Sequence, residues 1–374
     1  MGYEQNNGYY QNDGSHDQSW RDQTNVYQTQ REQPTPMGRR SPRRKSGWLK
    51  GILAVLLVVA ISFGAFYLIR NVGAERKRTA EKLLKGRGKS AMMALKKPRF
   101  RRQERNKAMK ITFLGTGNAQ ATACYNTCFV MEEAGRCLLV DGGGGNLLLR
   151  RLQDAGYKWQ DMRDIIVTHK HIDHLLGIVW MQRMICQNMA RGKFDGEARL
   201  YAHEEVIRIL HQLAEMLLTP KELKFVDERF FFIEVKDGEK REIIGRPVQF
   251  FDIHSTKAKQ FGFTMTLADG RKIACCGDEP YCEQEYEYVK GSTLMLHEAF
   301  CLYSQRDIFE PYKKNHSTVK DACELAEKLG VPNLVLYHTE DKNIENRKAL
   351  YTEEGKAYYH GNLVVPDDLE TLEL

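Results

Sequence analysis

Three imidazoles and a carboxylate fall within the stretch His169-Lys170-His171-Ile172-Asp173-His174. Imidazole and carboxylate are the side chains that suit borderline divalent ions such as zinc. The stretch directly follows the apolar, β-branched run Ile165-Ile166-Val167, which reads as a buried strand. A strand that ends in a ligand-rich turn sends alternate side chains into the same space. His169 and His171 then reach one metal position, while Asp173 and His174 turn towards a second beside it. A polar loop with a few surface histidines is the bland alternative, and four ligand-type residues this close together weigh against it. His254, Asp278 and His338 each sit at the end of a predicted strand or in the turn after it, which makes them further ligand candidates.

The pattern His-x-His-x-Asp-His resembles the metal-binding signature of the metallo-β-lactamase superfamily, and within it the ribonuclease Z group of phosphodiesterases. Phe113-Leu114-Gly115-Thr116-Gly117 resembles the opening strand and glycine turn, and Leu138-Leu139-Val140-Asp141-Gly142 the second motif. Asp252-Ile253-His254-Ser255, Cys276-Gly277-Asp278 and Tyr337-His338-Thr339 follow in the family's order. His297-Glu298-Ala299 and His316-Ser317-Thr318 match two motifs that distinguish the ribonuclease Z group. The resemblance covers Met109 to roughly the C-terminus.

The resemblance implies an α/β fold, the four-layer αββα metallo-β-lactamase sandwich, holding two Zn2+ ions per chain. His169, His171 and His254 would hold one zinc, and Asp173, His174 and His338 the other, with Asp278 bridging. It implies attack on a phosphodiester by a metal-bound hydroxide, with Asp173 among the catalytic groups. His316 would protonate the leaving oxygen, supported by Glu298. Asp141 would orient a metal-binding loop. Where the family continues Cys-Gly-Glu-Gly, this chain has Gly142-Gly143-Gly144-Gly145-Asn146, whose glycines would let backbone approach a phosphate.

Strands are predicted at Lys110–Thr116, Cys128–Glu132, Arg136–Asp141, Arg199–Ala202, Phe230–Val235, Val248–Ile253, Phe261–Ala268, Arg271–Cys275 and Leu334–Tyr337. Helices are predicted at Asn146–Ala155, His174–Asn188, Glu204–Leu218 and Val319–Leu329, the last opened by the capping residues Ser317 and Thr318. Two sheets packed face to face with helices outside would gather the metal motifs on the loops at one edge.

Everything before Met109 reads as an appendage. Residues 1–38 are rich in Gln, Asn, Tyr, Gly and Asp and cannot bury enough apolar surface to offset ordering entropy. Gly51 to Ile69 then runs without a charge, which at about 1.5 Å per helical residue approaches the roughly 30 Å of a bilayer core. Trp48 and Tyr67 lie near its ends, where aromatic rings favour the interface. The expected layout is a disordered polar tail over 1–46, one transmembrane helix over 47–70, a basic juxtamembrane linker over 71–108 and the hydrolase domain over 109–374. Residues 70–107 carry 15 basic against 3 acidic side chains, a composition suited to anionic lipid or to fixing topology. The basic excess after the span is slight and points the catalytic domain towards the cytoplasm, giving a single-pass cell-membrane protein. Nine cysteines, odd in number and several within apolar runs, read as reduced core packing rather than a disulfide framework.

Charge bears on the substrate. The chain has 56 Lys and Arg and 49 Asp and Glu, of which residues 109–374 hold 33 and 41, a net −8. A domain that grips folded RNA by its phosphates should be basic. The tRNA-processing enzymes that the chain resembles also carry a Gly/Pro- and Lys-rich arm, and none fits between His254 and Asp278. The sequence therefore favours a membrane-anchored dizinc phosphodiesterase acting on a small phosphodiester or nucleotide, the substrates of arm-less relatives. A ribonuclease Z-type tRNA 3′-endonuclease is the alternative and would need its RNA grip from elsewhere. An iron-dependent redox enzyme or a thioester or lactone hydrolase on the same scaffold is a third reading, disfavoured by the His297-Glu298 and His316-Ser317-Thr318 motifs.

Overall fold

The computed structural model describes residues 108–374, so the tail, the apolar span and most of the basic linker lie outside the described residues. Among the described residues no helix is long and apolar enough to cross a membrane.

Apolar residues at successive positions, rather than alternating ones, mark strands covered on both faces. The first sheet takes β1 (Lys110–Gly115), β2 (Cys128–Glu133), β3 (Arg136–Val140), β4 (Met162–Ile166), β5 (Ala198–Ala202) and β6 (Phe230–Glu234). The second takes β7 (Lys240–Ile243), β8 (Arg246–Asp252), β9 (Phe261–Thr266), β10 (Lys272–Cys275), β11 (Leu294–Glu298), β12 (Asn333–Tyr337) and β13 (Asn362–Val364). The strand β14 (Thr371–Glu373) returns to pair antiparallel with β1 at the edge of the first sheet. Each sheet has seven strands in unbroken order, β14-β1-β2-β3-β4-β5-β6 and β13-β12-β11-β10-β9-β8-β7. β3 to β6 run parallel, as do β10 to β13, while the remaining neighbours are antiparallel.

The period of two along each strand sorts side chains between layers. Leu138 and Val140 of β3 enter a core shared with Phe250, Phe263, Leu296 and Val335 of the opposite sheet. Cys137 and Leu139 enter a second core, which is completed by the helices α1 (Leu147–Asp154), α2 (Ile172–Ala190) and α3 (Glu204–Leu217). On the far side, Ala274, Met295 and Leu336 pack against α4 (Val319–Lys328) and α5 (Arg347–Gly355). The result is helix, sheet, sheet, helix: the expected four-layer α/β sandwich. All nine cysteines are unpaired, as expected, and all but the half-buried Cys282 are buried.

Several elements differ from expectation. β11 is buried at every position and so shows no alternation to read. β7, β13 and β14 are only three or four residues long, and β14 is defined by pairing with a strand some 260 positions away. β4 begins at Met162, because Arg163 and the half-buried Asp164 are carried within it and Asp164 accepts from the Tyr201 hydroxyl at 3.3 Å. Helix α2 begins at Ile172, so Asp173 lies in its first turn, where a carboxylate is favoured by the helix dipole.

Candidate metal centre

The carboxyl ends of β3, β4, β10, β11 and β12 open at one edge of the sandwich, the place where α/β sheets present ligands to a site. Asp141 follows β3, the turn 168–171 follows β4, Asp278 follows β10, Glu298 ends β11 and His338 follows β12. Asp141 and His338 both adopt the left-handed conformation, φ +56° and +58°. Non-glycine residues hold that conformation only where their surroundings fix it, and such positions cluster at functional sites.

Asp141 does what its resemblance implied. Its buried carboxylate accepts from the Thr168 amide through Oδ1 and from the Thr168 hydroxyl through Oδ2, both at 2.8 Å. Oδ2 also lies 2.8 Å from His174 Nδ1, so the carboxylate assigns the proton to that nitrogen and turns Nε2 towards the site. The first glycine of the stretch meets a helix. Gly177 of α2 lies so close to Gly142 that a Cβ there would meet the Gly142 carbonyl oxygen at 1.8 Å. The Gly142 amide also donates to the His174 carbonyl at 2.8 Å. Gly142 and Gly177 let the loop close onto the helix that carries Asp173 and His174.

Six of the seven expected ligands converge. His169, His171 and Asp278 present donor atoms within 4.8 Å of one another, and so do Asp173, His174 and His338. His169 Nε2 and His171 Nδ1 are 2.8 Å apart. Asp278 Oδ2 stands between the two sets, 3.5 Å from His169 Nε2 and 3.3 Å from both His174 Nε2 and His338 Nε2. That placement is what a bridging ligand requires. His174 Nε2 and both ring nitrogens of His338 are buried without a hydrogen-bond partner. Orphaned buried imidazole nitrogens facing carboxylates are costly unless a cation completes them, so the donor set fits a metal. Burial would raise the Asp278 carboxyl's pKa, yet His169, His338 and His174 outweigh it and hold the group well below the carboxylate range. Burial pushes His169 and His171 down, leaving neutral imidazoles of the kind that ligate.

His254 departs from expectation. It follows β8 as predicted, but it is exposed, takes φ +55°, and its amide donates to Asp252 Oδ1 at 2.8 Å. It is not among the residues whose donor atoms converge in the two sets. Gln260 stands in the space instead: its Nε2 lies 2.8 Å from His169 Nδ1 and donates to Asp278 Oδ1. Nothing in the local sequence marks Gln260, because its partner is 91 positions away.

His316 is brought to the second set, its ring centroid 5.4 Å from that of His338. Its Nδ1 lies 3.2 Å from Glu298 Oε2, and the fully buried Glu298 also accepts from the Ser317 amide. Phe300 stacks on the imidazole at 4.9 Å with planes 6° apart. Burial opposes charge on His316, but the hydrogen bond and charge of Glu298 outweigh it and raise its pKa. His316 is thus an imidazole held by a buried carboxylate beside the second set.

Ala119, Lys170, His171, Ile172, Asp173, Lys257, Asp278, His316 and His338 line an open pocket of about 460 Å³ over these groups. Between His254 and Asp278 the chain forms only the β9–β10 hairpin, closed by Leu267 N–H donating to the Arg271 carbonyl at 2.8 Å. No protruding arm interrupts the described residues there.

Two mixed sheets with clustered imidazoles and carboxylates at their edge, together with the relatives described next, place the chain among hydrolases of the metallo-β-lactamase superfamily, in the ribonuclease Z-like group. Within that class, the family model described as Anti-Pycsar protein Apyc1 matches residues 109–358, and the chain belongs to that family. A ribonuclease Z from Pyrococcus abyssi is 25% identical over 283 residues, covering 62% of this chain and 86% of that protein. Among solved structures, the metallo-β-lactamase fold protein YhfI from Bacillus subtilis superposes with a TM-score of 0.59 at 17% identity, covering 72% of this chain and 100% of the other. The human tRNase Z short form gives 0.53 at 20% identity, covering 70% and 98%. Enzymes of this superfamily depend on metal, and the His/Asp clusters are groups that could hold it here.

Proposed function

We propose that the domain is a two-zinc phosphodiesterase that cleaves a small phosphodiester. The observation that carries the reading is the Asp278 carboxylate standing between two ligand sets, with the Glu298–His316 pair at the same pocket. Two ions bound there supply a nucleophile at neutral pH and neutralise the phosphoryl oxygens. The chain's own residues do the rest. Asp141 and Thr168 orient His174 and the metal turn, Asp278 holds both sets together, and His316 delivers a proton to the departing oxygen while Glu298 keeps it charged. A pocket of about 460 Å³ suits a nucleotide-sized ligand. The net −8 of residues 109–374 and the short hairpin in place of an arm support a small substrate over a folded RNA. The likeness to ribonuclease Z proteins keeps tRNA 3′-end processing as the alternative. Assaying the purified, metal-quantified protein against bis(p-nitrophenyl) phosphate, cyclic nucleotides and precursor tRNA separates them. Cleavage of precursor tRNA with the small diesters untouched would overturn the proposal.

His254 is the residue on which sequence pattern and structure differ. Imidazole is a better ligand than carboxamide for a borderline ion, so we keep His254 as a ligand of the first zinc. His254→Ala should then lose about one zinc per chain, whereas Gln260→Ala should retain both. Full metal retention in His254→Ala would restrict the first set to His169, His171 and Asp278.

We also propose single-pass membrane attachment through residues 47–70, with basic residues 70–107 against anionic lipid and the catalytic domain on the cytoplasmic side. The uncharged run Gly51–Ile69 and the unpaired cysteines support it. An engineered cysteine near the C-terminus should resist an impermeant maleimide in intact cells; ready labelling would reverse the orientation.

A further inference from the structure

Two lysines line the pocket, and their circumstances differ. Lys170 Nζ donates to Glu205 Oε1 at 2.7 Å, which commits its charge to the rim. Lys257 has no such partner. Its nearest carboxylate oxygen, Glu279 Oε1, is 3.9 Å from Nζ, beyond hydrogen-bond reach. Glu279 Oε2 is already taken, accepting from Asn315 Nδ2 at 2.7 Å. No arginine lines the pocket, so Lys257 is the uncommitted cation among its described lining residues.

The backbone around Lys257 fixes where that charge goes. The Ser255 hydroxyl accepts from the amides of Lys257 and Ala258, each at 3.2 Å, forming a tight turn. Thr256 Oγ1 accepts from Asn315 Nδ2 at 3.2 Å, tying the turn to the loop that presents His316. Asn315 holds that loop at φ +52°, a conformation that asparagine tolerates better than most residues. The turn that carries Lys257 is therefore tied to the same framework as the candidate proton donor. Lys257 lines the same pocket as His171 and His316.

We propose that Lys257 is a substrate-binding residue that takes a non-bridging oxygen of the phosphoryl group. The proposal rests on the phosphodiesterase reading for its substrate class. An ammonium on a flexible stem binds a phosphoryl oxygen as a point charge and needs no planar match, so arginine should substitute in part. The bland alternative is a solvated surface lysine, side chain 33% exposed, loosely drawn to Glu279.

The test uses the full-length protein with metal quantified, in Lys257→Gln, Lys257→Arg and Lys259→Gln forms. Lys259 is a same-turn control for net charge; it lies over the Phe261 ring, 5.3 Å from Nζ to centroid, and does not line the pocket. kcat and KM are measured for bis(p-nitrophenyl) phosphate, and the affinity for inorganic phosphate by calorimetry. A charge-assisted hydrogen bond of about 1.5–3 kcal/mol corresponds to roughly 10–100-fold. Lys257→Gln should raise KM and the phosphate Kd by about that factor with metal content intact. Arginine should restore most of it, and added salt should narrow the gap. Lys257→Gln with unchanged KM and phosphate affinity would overturn the proposal, as would an equal loss in Lys259→Gln. A wild-type protein that cleaves no phosphodiester yet binds phosphate through Lys257 would sink the phosphodiesterase reading and leave the anion contact standing. A wild type that neither cleaves nor binds phosphate sinks both.

Discussion

Asp278→Ala is expected to lose at least one zinc per chain and to cut phosphodiester turnover on the order of 10³-fold or more, since metal charge stabilisation supplies several kcal/mol. The expectation follows from the position of Oδ2, 3.3–3.5 Å from an imidazole nitrogen of the first set and from two of the second. Each of the other candidate ligands belongs to one set, so its removal should leave one ion in place. Asp278 also offsets a crowd of buried imidazoles, and its loss leaves them facing one another with one carboxylate fewer. Asp278→Asn keeps the shape and hydrogen-bonding capacity while removing the charge, so it separates loss of ligation from loss of fold. Metal analysis alongside thermal unfolding gives the readout. Full occupancy of both ions in folded Asp278→Ala protein would show that the carboxylate does not bridge.

How much of this was legible in the sequence depended on distance along the chain. The turn 168–174 declared itself because its ligands are neighbours and its preceding strand is a run of β-branched residues. Asp141, Asp278 and His338 were legible because each follows a strand whose apolar run marks its end. What the sequence could not show was who would stand next to whom. Gln260 meets His169 across 91 positions, Phe300 stacks on His316, and Asn315 links Thr256 to Glu279. None of these residues belongs to a type or spacing that announces a site, and their roles arise only when two sheets meet at an edge. His254 shows the converse: its place after β8 was legible, but its exposure was not, and periodicity carries no information on it. The strand β11 was hidden for a related reason. Burial on both faces erased the alternation, although its last residues, His297 and Glu298, had been marked by chemistry.

His316→Ala separates chemistry from grip. If His316 protonates the leaving oxygen, its removal should lower turnover by about 10²–10⁴-fold while zinc content stays intact. The loss should track the leaving group, being large for a poor alkoxide and small for p-nitrophenolate, which departs without a proton. Glu298→Gln gives the second arm. Glu298 holds the His316 pKa up against burial, so the imidazolium persists to higher pH than an isolated histidine would allow. Without that carboxylate the proton is lost at lower pH, and the alkaline fall in turnover should move to lower pH for the poor leaving group only. A metal ligand behaves otherwise, because its removal empties a site and harms both substrates alike. His316 also packs flat on Phe300, so a merely structural role would appear as a stability loss with no leaving-group dependence. Equal damage to both leaving groups with zinc retained would therefore make His316 a positioning residue and leave the proton to come from elsewhere.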